Sequence, residues 1–155
     1  MGTEGNDREP RSASEFLPPH AREQVKAAIA RAERNTSGEI RIHVDDRCED
    51  EVLEHAALVF EELGMQRTKA RNGVLIYISV LDHRLAVIGD QGINAAVPEG
   101  FWTDVVAALR IQFAAGKRVE GLVHAVELIG EKLGKHFPYE QGDRNELSNE
   151  ISFGR

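Results

Sequence analysis

Apolar residues recur at two periods along the chain, and the period switches several times. Val25, Ala28, Ile29 and Ala32 follow helical spacing after Pro18-Pro19, with Phe16 and Leu17 just ahead, and Asn35-Thr36-Ser37-Gly38 interrupts the run. This predicts a first amphipathic helix. From Glu39 the period becomes two: Ile40, Ile42 and Val44 share one side of a strand, and Glu39, Arg41, His43 and Asp45 share the other. An acidic loop, Asp46 to Asp50, leads into Val52, Ala56, Val59 and Leu63, joined by Leu53 and Phe60, a second helix with Gly64 as its C-cap. Val74 to Leu81 is almost continuously apolar, as a central strand covered on both faces would be. Asp82-His83 reads as a tight turn, and Leu85 to Ile88 as an antiparallel return strand closing at Gly89-Asp90-Gln91-Gly92.

Pro98 opens a third helix with Trp102, Val105, Val106, Leu109 and Phe113 on its core face and Gly116 at its end. A fourth runs through Leu122, Val126, Ile129 and Leu133 and stops before Pro138. With a right-handed crossover between the first two strands, the sum is an α/β fold. It is a three-layer α/β/α sandwich with a small mixed sheet, a βαβ unit plus an antiparallel hairpin strand, and about four helices. Residues 1–14 are too polar to order themselves and read as a flexible arm. Residues 15–138 form the domain, and 139–155 a polar, acidic tail in which Ile151 and Phe153 alternate like a short strand or docking segment.

The length, 155 residues, suits one domain. Acidic residues outnumber basic ones 26 to 19, a formal charge of −7. That charge repels nucleic-acid backbones and anionic membranes, so neither is expected as a partner. Cations or basic protein surfaces are the natural ones. No apolar run is long enough to span a bilayer, and the start lacks the basic-then-apolar layout of a secretion signal. A lone Cys48 agrees with a reducing compartment. A cytoplasmic location is therefore expected.

Several chemistries lack their motif. Neither a phosphate-cradling P-loop nor Gly-x-Gly-x-x-Gly after a strand is present. A cysteine phosphatase wants an arginine six residues after its thiolate, and Glu54 stands there relative to Cys48. Asp45-Asp46-Arg47 breaks the Asp-x-Asp spacing of aspartyl-phosphate enzymes, and Gly-x-Ser-x-Gly is missing, so no standard covalent nucleophile can be named. His43, Cys48 and His55 match no common zinc spacing. Oxygen ligands for Ca²⁺ or Mg²⁺ are more plentiful: the loop at Asp45, Asp46, Glu49 and Asp50, the hairpin at Asp82, and the turn at Asp90. Each also reads as a solvated loop, a helix cap or a turn. The polar side of the first strand either lies half exposed, with Arg41 paired to Glu39 or another acid, or floors a site.

Thr36-Ser37-Gly38-Glu39-Ile40-Arg41-Ile42-His43, Arg71-Asn72-Gly73-Val74-Leu75-Ile76-Tyr77, Asp82-His83-Arg84, Gly89-Asp90-Gln91-Gly92-Ile93-Asn94 and Val97-Pro98-Glu99-Gly100-Phe101-Trp102 occur in an order that resembles the TPM domain family. This phosphatase-like domain occurs in thylakoid-lumen and bacterial proteins. Phe137-Pro138-Tyr139 and the run Gly142 to Gly154 resemble its stand-alone, cytosolic bacterial branch. The resemblance implies an α/β/α sandwich, divalent-cation binding in some members, and acid phosphatase or nucleotide-hydrolysing activity in others. The family often has an acid before the Asn-Gly that opens the central strand; here that position is Arg71.

Strand directions place Glu39, Asn72-Gly73 and Asp90 at one edge of the sheet, with Asn94 just beyond, and Asp45, Asp46 and Asp82 at the other. The favoured ligand set for Ca²⁺ or Mg²⁺ is Glu39 and Asp90, helped by Asn94 or Asp104. The second choice is Asp45, Asp46 and Asp82, at the edge where carboxyl ends of parallel strands usually meet ligands. A metal-bound water would then hydrolyse a phosphate ester or nucleotide. The alternative is a non-catalytic module that docks a protein partner in assembly or repair, through the Asn145 to Phe153 tail.

Overall fold

Residues 9–139 and 150–154 are described by a computed structural model. Ser12 accepts the Glu15 N–H and so caps a one-turn helix, α1 (Ala13–Phe16). Next come α2 (Pro19–Glu33), β1 (Glu39–Asp45), α3 (Val52–Glu62) and a 3-10 turn at Met65–Arg67. They are followed by β2 (Gly73–Ser79), β3 (Arg84–Gly89) and a second one-turn helix, α4 (Gln91–Asn94). The chain continues through α5 (Phe101–Ala114), α6 (Arg118–His136) and β4 (Ser152–Phe153). The long helices lie where apolar periodicity puts them. α1 and α4 are single turns, too short to leave a periodic trace.

Order reaches into the stretch expected to be an arm, since Ala13 is buried and Ser12 is a cap. Residues 1–8 of that arm, and 140–149 and 155 of the tail, lie outside the described residues.

The sheet has the order β3-β2-β1-β4. β1 and β2 are parallel, joined through α3, with Glu39 opposite Gly73 and Asp45 opposite Ser79. β2 and β3 form the antiparallel hairpin. β4 joins β1 in parallel, His43 opposite Ser152, which is the short strand that Ile151 and Phe153 suggested. One face carries Ile40, Ile42, Val44, Val74, Ile76, Ile78, Leu85 and Val87 against α2, α5 and α6. Burying each such aliphatic side chain contributes about 1.5–3 kcal/mol. The other face packs Leu75, Tyr77 and Ala86 under Ala56, Val59 and Phe60 of α3. Because α3 sits over β2 and β3, the polar face of β1 is left beside that helix rather than under it. No helix among the described residues is long and apolar enough to cross a membrane.

Candidate functional site

At the edge where β1 and β2 begin, Asp90 ends β3 as a buried carboxylate. It accepts both Nε (2.7 Å) and Nη2 (2.9 Å) of Arg71, a bidentate fork. Its Oδ1 also accepts the Gln91 N–H at 2.7 Å, capping α4. Gly92 is pressed so close that a Cβ there would lie 2.3 Å from the Ala70 carbonyl oxygen, which locks the turn before β2 onto α4. Asn94 Oδ1 accepts the Trp102 indole N–H at 2.7 Å, and Asp104 is exposed on the first turn of α5. Glu39 is buried beside Glu33, whose Oε2 accepts the Ile40 N–H at 2.8 Å. Burial pushes the Glu33 carboxyl up to about 8, opposed by the Ile40 N–H and reinforced by Glu39. The favoured acids thus have internal partners. A cation at Asp90 would have to displace the Arg71 guanidinium, which occupies the position where the resemblance leads one to expect an acid.

The opposite edge, at the carboxyl ends of β1 and β2, is arranged differently. Asp46 Oδ1 accepts the Ala13 N–H at 2.6 Å. Asp82 Oδ2 accepts the Cys48 N–H and, at 2.9 Å, the Ser79 hydroxyl. The Cys48 N–H, then the Ser79 hydroxyl, hold the Asp82 carboxyl below its usual range. Among the described residues Asp46 and Asp82 take hydrogen bonds from neutral donors. No three His, Cys, Asp or Glu side chains of the described residues gather as a metal-binding set.

Beside this edge, a cavity of about 700 Å³ opens between the β2–β3 hairpin, α1 and the α5–α6 junction. Arg84 and His83 from the hairpin, Arg110 from α5 and Arg118 from α6 line it, together with Phe16, Phe113 and Glu9. Arg118 Nε is anchored on the Phe16 carbonyl at 3.0 Å and its guanidinium lies 5.5 Å from the Phe16 ring centroid. Phe16 in turn meets Phe113 edge-on, 5.2 Å between centroids. Arg84 Nη1 donates to the Asp50 carbonyl at 2.9 Å. His83 holds a left-handed backbone, φ 53°, and its Nε2 is 3.1 Å from Glu9 Oε2. These four cationic or titratable groups come from three separate elements, so no charge run in the sequence announced them.

The polar face of β1 forms a third cluster, centred on Asp45. Its Oδ1 is 2.8 Å from His43 Nε2; its Oδ2 accepts the Tyr77 hydroxyl at 2.6 Å and lies 3.3 Å from His55 Nε2. Burial alone would raise the Asp45 carboxyl, but His43, Tyr77 and His55 outweigh it and hold it below the usual carboxylate range. Tyr77 is pushed upward by burial and by the Asp45 and Cys48 side chains. The other nitrogen of His43, Nδ1, is 2.7 Å from Ser152 Oγ on β4. His43 and His55 do meet, but around a carboxylate. Cys48, the third member of that sequence trio, turns its Sγ to the Asp50 carbonyl at 3.4 Å. Ser152 and Tyr77 escaped sequence reasoning. The alternation of Ile151 and Phe153 was the available signal, since it sets Ser152 on the opposite side of its strand.

A family model described as the TPM domain matches residues 12–132. Among solved structures, the NMR structure of BA42 protein from the psychrophilic bacterium Bizionia argentinensis is 42% identical, with a TM-score of 0.83, covering 90% of this chain and 96% of that one. The NMR structure of the N-terminal domain of a P. gingivalis protein is 20% identical, with a TM-score of 0.65 over 81% of this chain and 83% of that one, and supports the fold alone. No curated protein matches.

Proposed function

Because the chain belongs to the TPM domain family, we propose that it binds phosphate esters in the hairpin cavity and hydrolyses them with a divalent cation, Ca²⁺ or Mg²⁺. The observation that carries this reading is the convergence of Arg84, Arg110, Arg118 and His83 on one cavity of about 700 Å³ in a chain of formal charge −7. Guanidinium forks match phosphate oxygens two at a time. Phe16 and Phe113 offer an apolar wall to the group the phosphate is esterified to, a nucleoside base included. A cation, when bound, would supply charge neutralisation and hold a water in place for attack. Asp46 and Asp82 are the side chains that would hold it, Asp82 standing between the cavity residues Ser79 and His83. Two carboxylates suit Mg²⁺, which keeps several waters and takes other ligands from a bound phosphate, better than Ca²⁺ with its six to eight oxygens. The arginines hold the ester in place while the scissile bond faces that edge.

The test is calorimetric titration with inorganic phosphate and with 4-nitrophenyl phosphate, each with and without Mg²⁺ or Ca²⁺, alongside turnover of the ester. Saturable phosphate binding that Arg110→Glu weakens, with metal-dependent release of 4-nitrophenol, supports the reading; no binding to the wild-type cavity overturns it. Binding without turnover favours a second reading, a non-catalytic module that docks a protein partner. Leu53 and Leu58, 55% and 48% exposed on α3, are the observation on its side. We place the chain in the stand-alone cytosolic branch of the family, a reading supported by its tail motifs and its single free thiol, Cys48.

A further inference from the structure

Ser152 on β4 stands in line with His43 and Asp45 on the polar face of β1, a nucleophile, a base and an orienting acid, each within hydrogen-bond reach of the next. Ser152 Oγ is 2.7 Å from His43 Nδ1, and His43 Nε2 is 2.8 Å from Asp45 Oδ1. An ionised carboxylate can only accept, so His43 Nε2 donates to Asp45, and in the neutral imidazole Nδ1 is the acceptor nearest the Ser152 hydroxyl, the Ile42 carbonyl lying farther off at 3.5 Å. The imidazole uses its nitrogens in the opposite sense to the chymotrypsin arrangement, but the roles are the same. Packing fixes the ring: it stacks on Tyr77 with 11° between planes and 6.0 Å between centroids, and Tyr77 also grips the other oxygen of Asp45. Gly154 passes so near that a Cβ would lie 1.7 Å from Asp45 Oδ1, so the absence of a side chain there makes room for the carboxylate. Arg41, two residues before His43 on the same strand face, has a buried Nε that finds no hydrogen-bond partner among the described residues, with Glu150 the carboxylate nearby. Ser152 itself is half-buried.

We propose that Ser152 is a catalytic nucleophile, His43 its general base and Asp45 the positioning residue of a metal-independent site for small, negatively charged carboxylic esters. Arg41 supplies the positive charge that selects an anionic substrate. Ser152 Oγ forms a bond to the acyl carbon while its proton passes to His43 Nδ1. The bond to the alcohol oxygen breaks, and that oxygen takes the proton from His43. Water then adds to the acyl-serine, His43 accepts one of its protons and returns it to Ser152 Oγ, and the carboxylic acid leaves and gives its proton to solvent. No oxidant, reductant or metal enters.

The full-length chain, kept in EDTA to silence any metal-dependent phosphatase, should react with a fluorophosphonate probe. The serine oxygen displaces fluoride, and peptide mass mapping should place the adduct on Ser152. Ser152→Ala, which removes one oxygen and should leave the circular dichroism spectrum unchanged, should abolish the adduct. His43→Gln should slow labelling by about 100-fold or more, and Asp45→Asn by a smaller factor in the same direction. The wild type should also turn over the 4-nitrophenyl monoester of succinic acid faster than 4-nitrophenyl acetate, a preference that Arg41→Gln erases. A wild-type chain that takes no label on Ser152, or labels at the same rate with His43→Gln, overturns the proposal and leaves these contacts as a dock for β4. Phosphate binding in the hairpin cavity is unaffected by Ser152→Ala, so the two proposals fail separately.

Discussion

The two ends of the sheet carry similar residues with opposite outcomes. Where the parallel strands begin, Asp90 is taken up by Arg71 and the α4 cap, the Asn94 side-chain oxygen accepts from Trp102, and Glu33 keeps a proton beside Glu39. Where they end, Asp46 and Asp82 take their hydrogen bonds from neutral donors among the described residues, with the charges of Arg84 and Arg47 near Asp82, and three arginines line a cavity. Polar groups at the first end are spent on holding the turn, the cap and the strand together. At the second end the arginines border open space, with Arg84 and Arg118 steadied by the Asp50 and Phe16 carbonyls rather than by a carboxylate fork. The lesson is that residue type nominates a site, whereas the presence of an internal partner decides whether the nomination stands.

The sharpest way to test that division is to remove the carboxylate at the centre of the β1 face. Asp45→Ala strands the Tyr77 hydroxyl, His43 and His55, and should lower stability by about 3 kcal/mol in urea denaturation, while phosphate affinity in the hairpin cavity stays as in the wild type. A loss of both would mean the two places form one site.

Next in size is a pH effect at the beginning of β1. Glu33 holds its proton up to about pH 8 when folded but only to about 4.5 when unfolded. The folded chain therefore binds the extra proton across that window, and the group's contribution is full below about pH 4.5 and lost as pH rises through about 8. Glu33→Gln should raise stability at pH 9 by on the order of 2 kcal/mol and change little at pH 5. The same thermal melts with 10 mM Ca²⁺ address the expected ligand Glu39: a cation there would replace the proton and flatten the wild-type slope.

Charge reversal in the cavity should cost binding rather than folding. Arg110→Glu is predicted to weaken inorganic phosphate binding by about tenfold or more, roughly 1.4 kcal/mol, with a change in unfolding free energy within about 0.5 kcal/mol. Should stability fall instead, the arginine belongs with the structural group at the first end. The smallest effect on ligand binding is expected from Asp90→Asn, which keeps an oxygen for the Gln91 N–H but loses the charge and the second acceptor that hold Arg71. A fall in melting temperature with unaltered Mg²⁺ affinity would agree with a structural role; a loss of Mg²⁺ affinity would restore Asp90 as a ligand.

Much of the fold was legible in the amino-acid order. Alternation in Ile40, Ile42 and Val44, the apolar run at Val74, and the helical spacing of Val25, Ala28 and Ile29 report on backbone geometry within a few residues, which is why strands and long helices fall where periodicity puts them. The motifs that placed the chain among TPM domains are likewise local strings. The candidate sites were legible only as lists of acids. That Asp90 would be held by a residue 19 positions away, or His43 by one 109 positions away, depends on which elements pack together.

By itself, then, the sequence determined the βαβ-plus-hairpin architecture, the family, and the residue types available for chemistry, because those follow from short-range periodicity and motif order. Tertiary structure alone decided that Arg84, Arg110 and Arg118 share a cavity, and that Ser152 reaches the imidazole of His43. The reason is physical: a polar side chain's role is set by the partner that satisfies it, and here those partners arrive from distant parts of the chain once the sheet and its helices have closed.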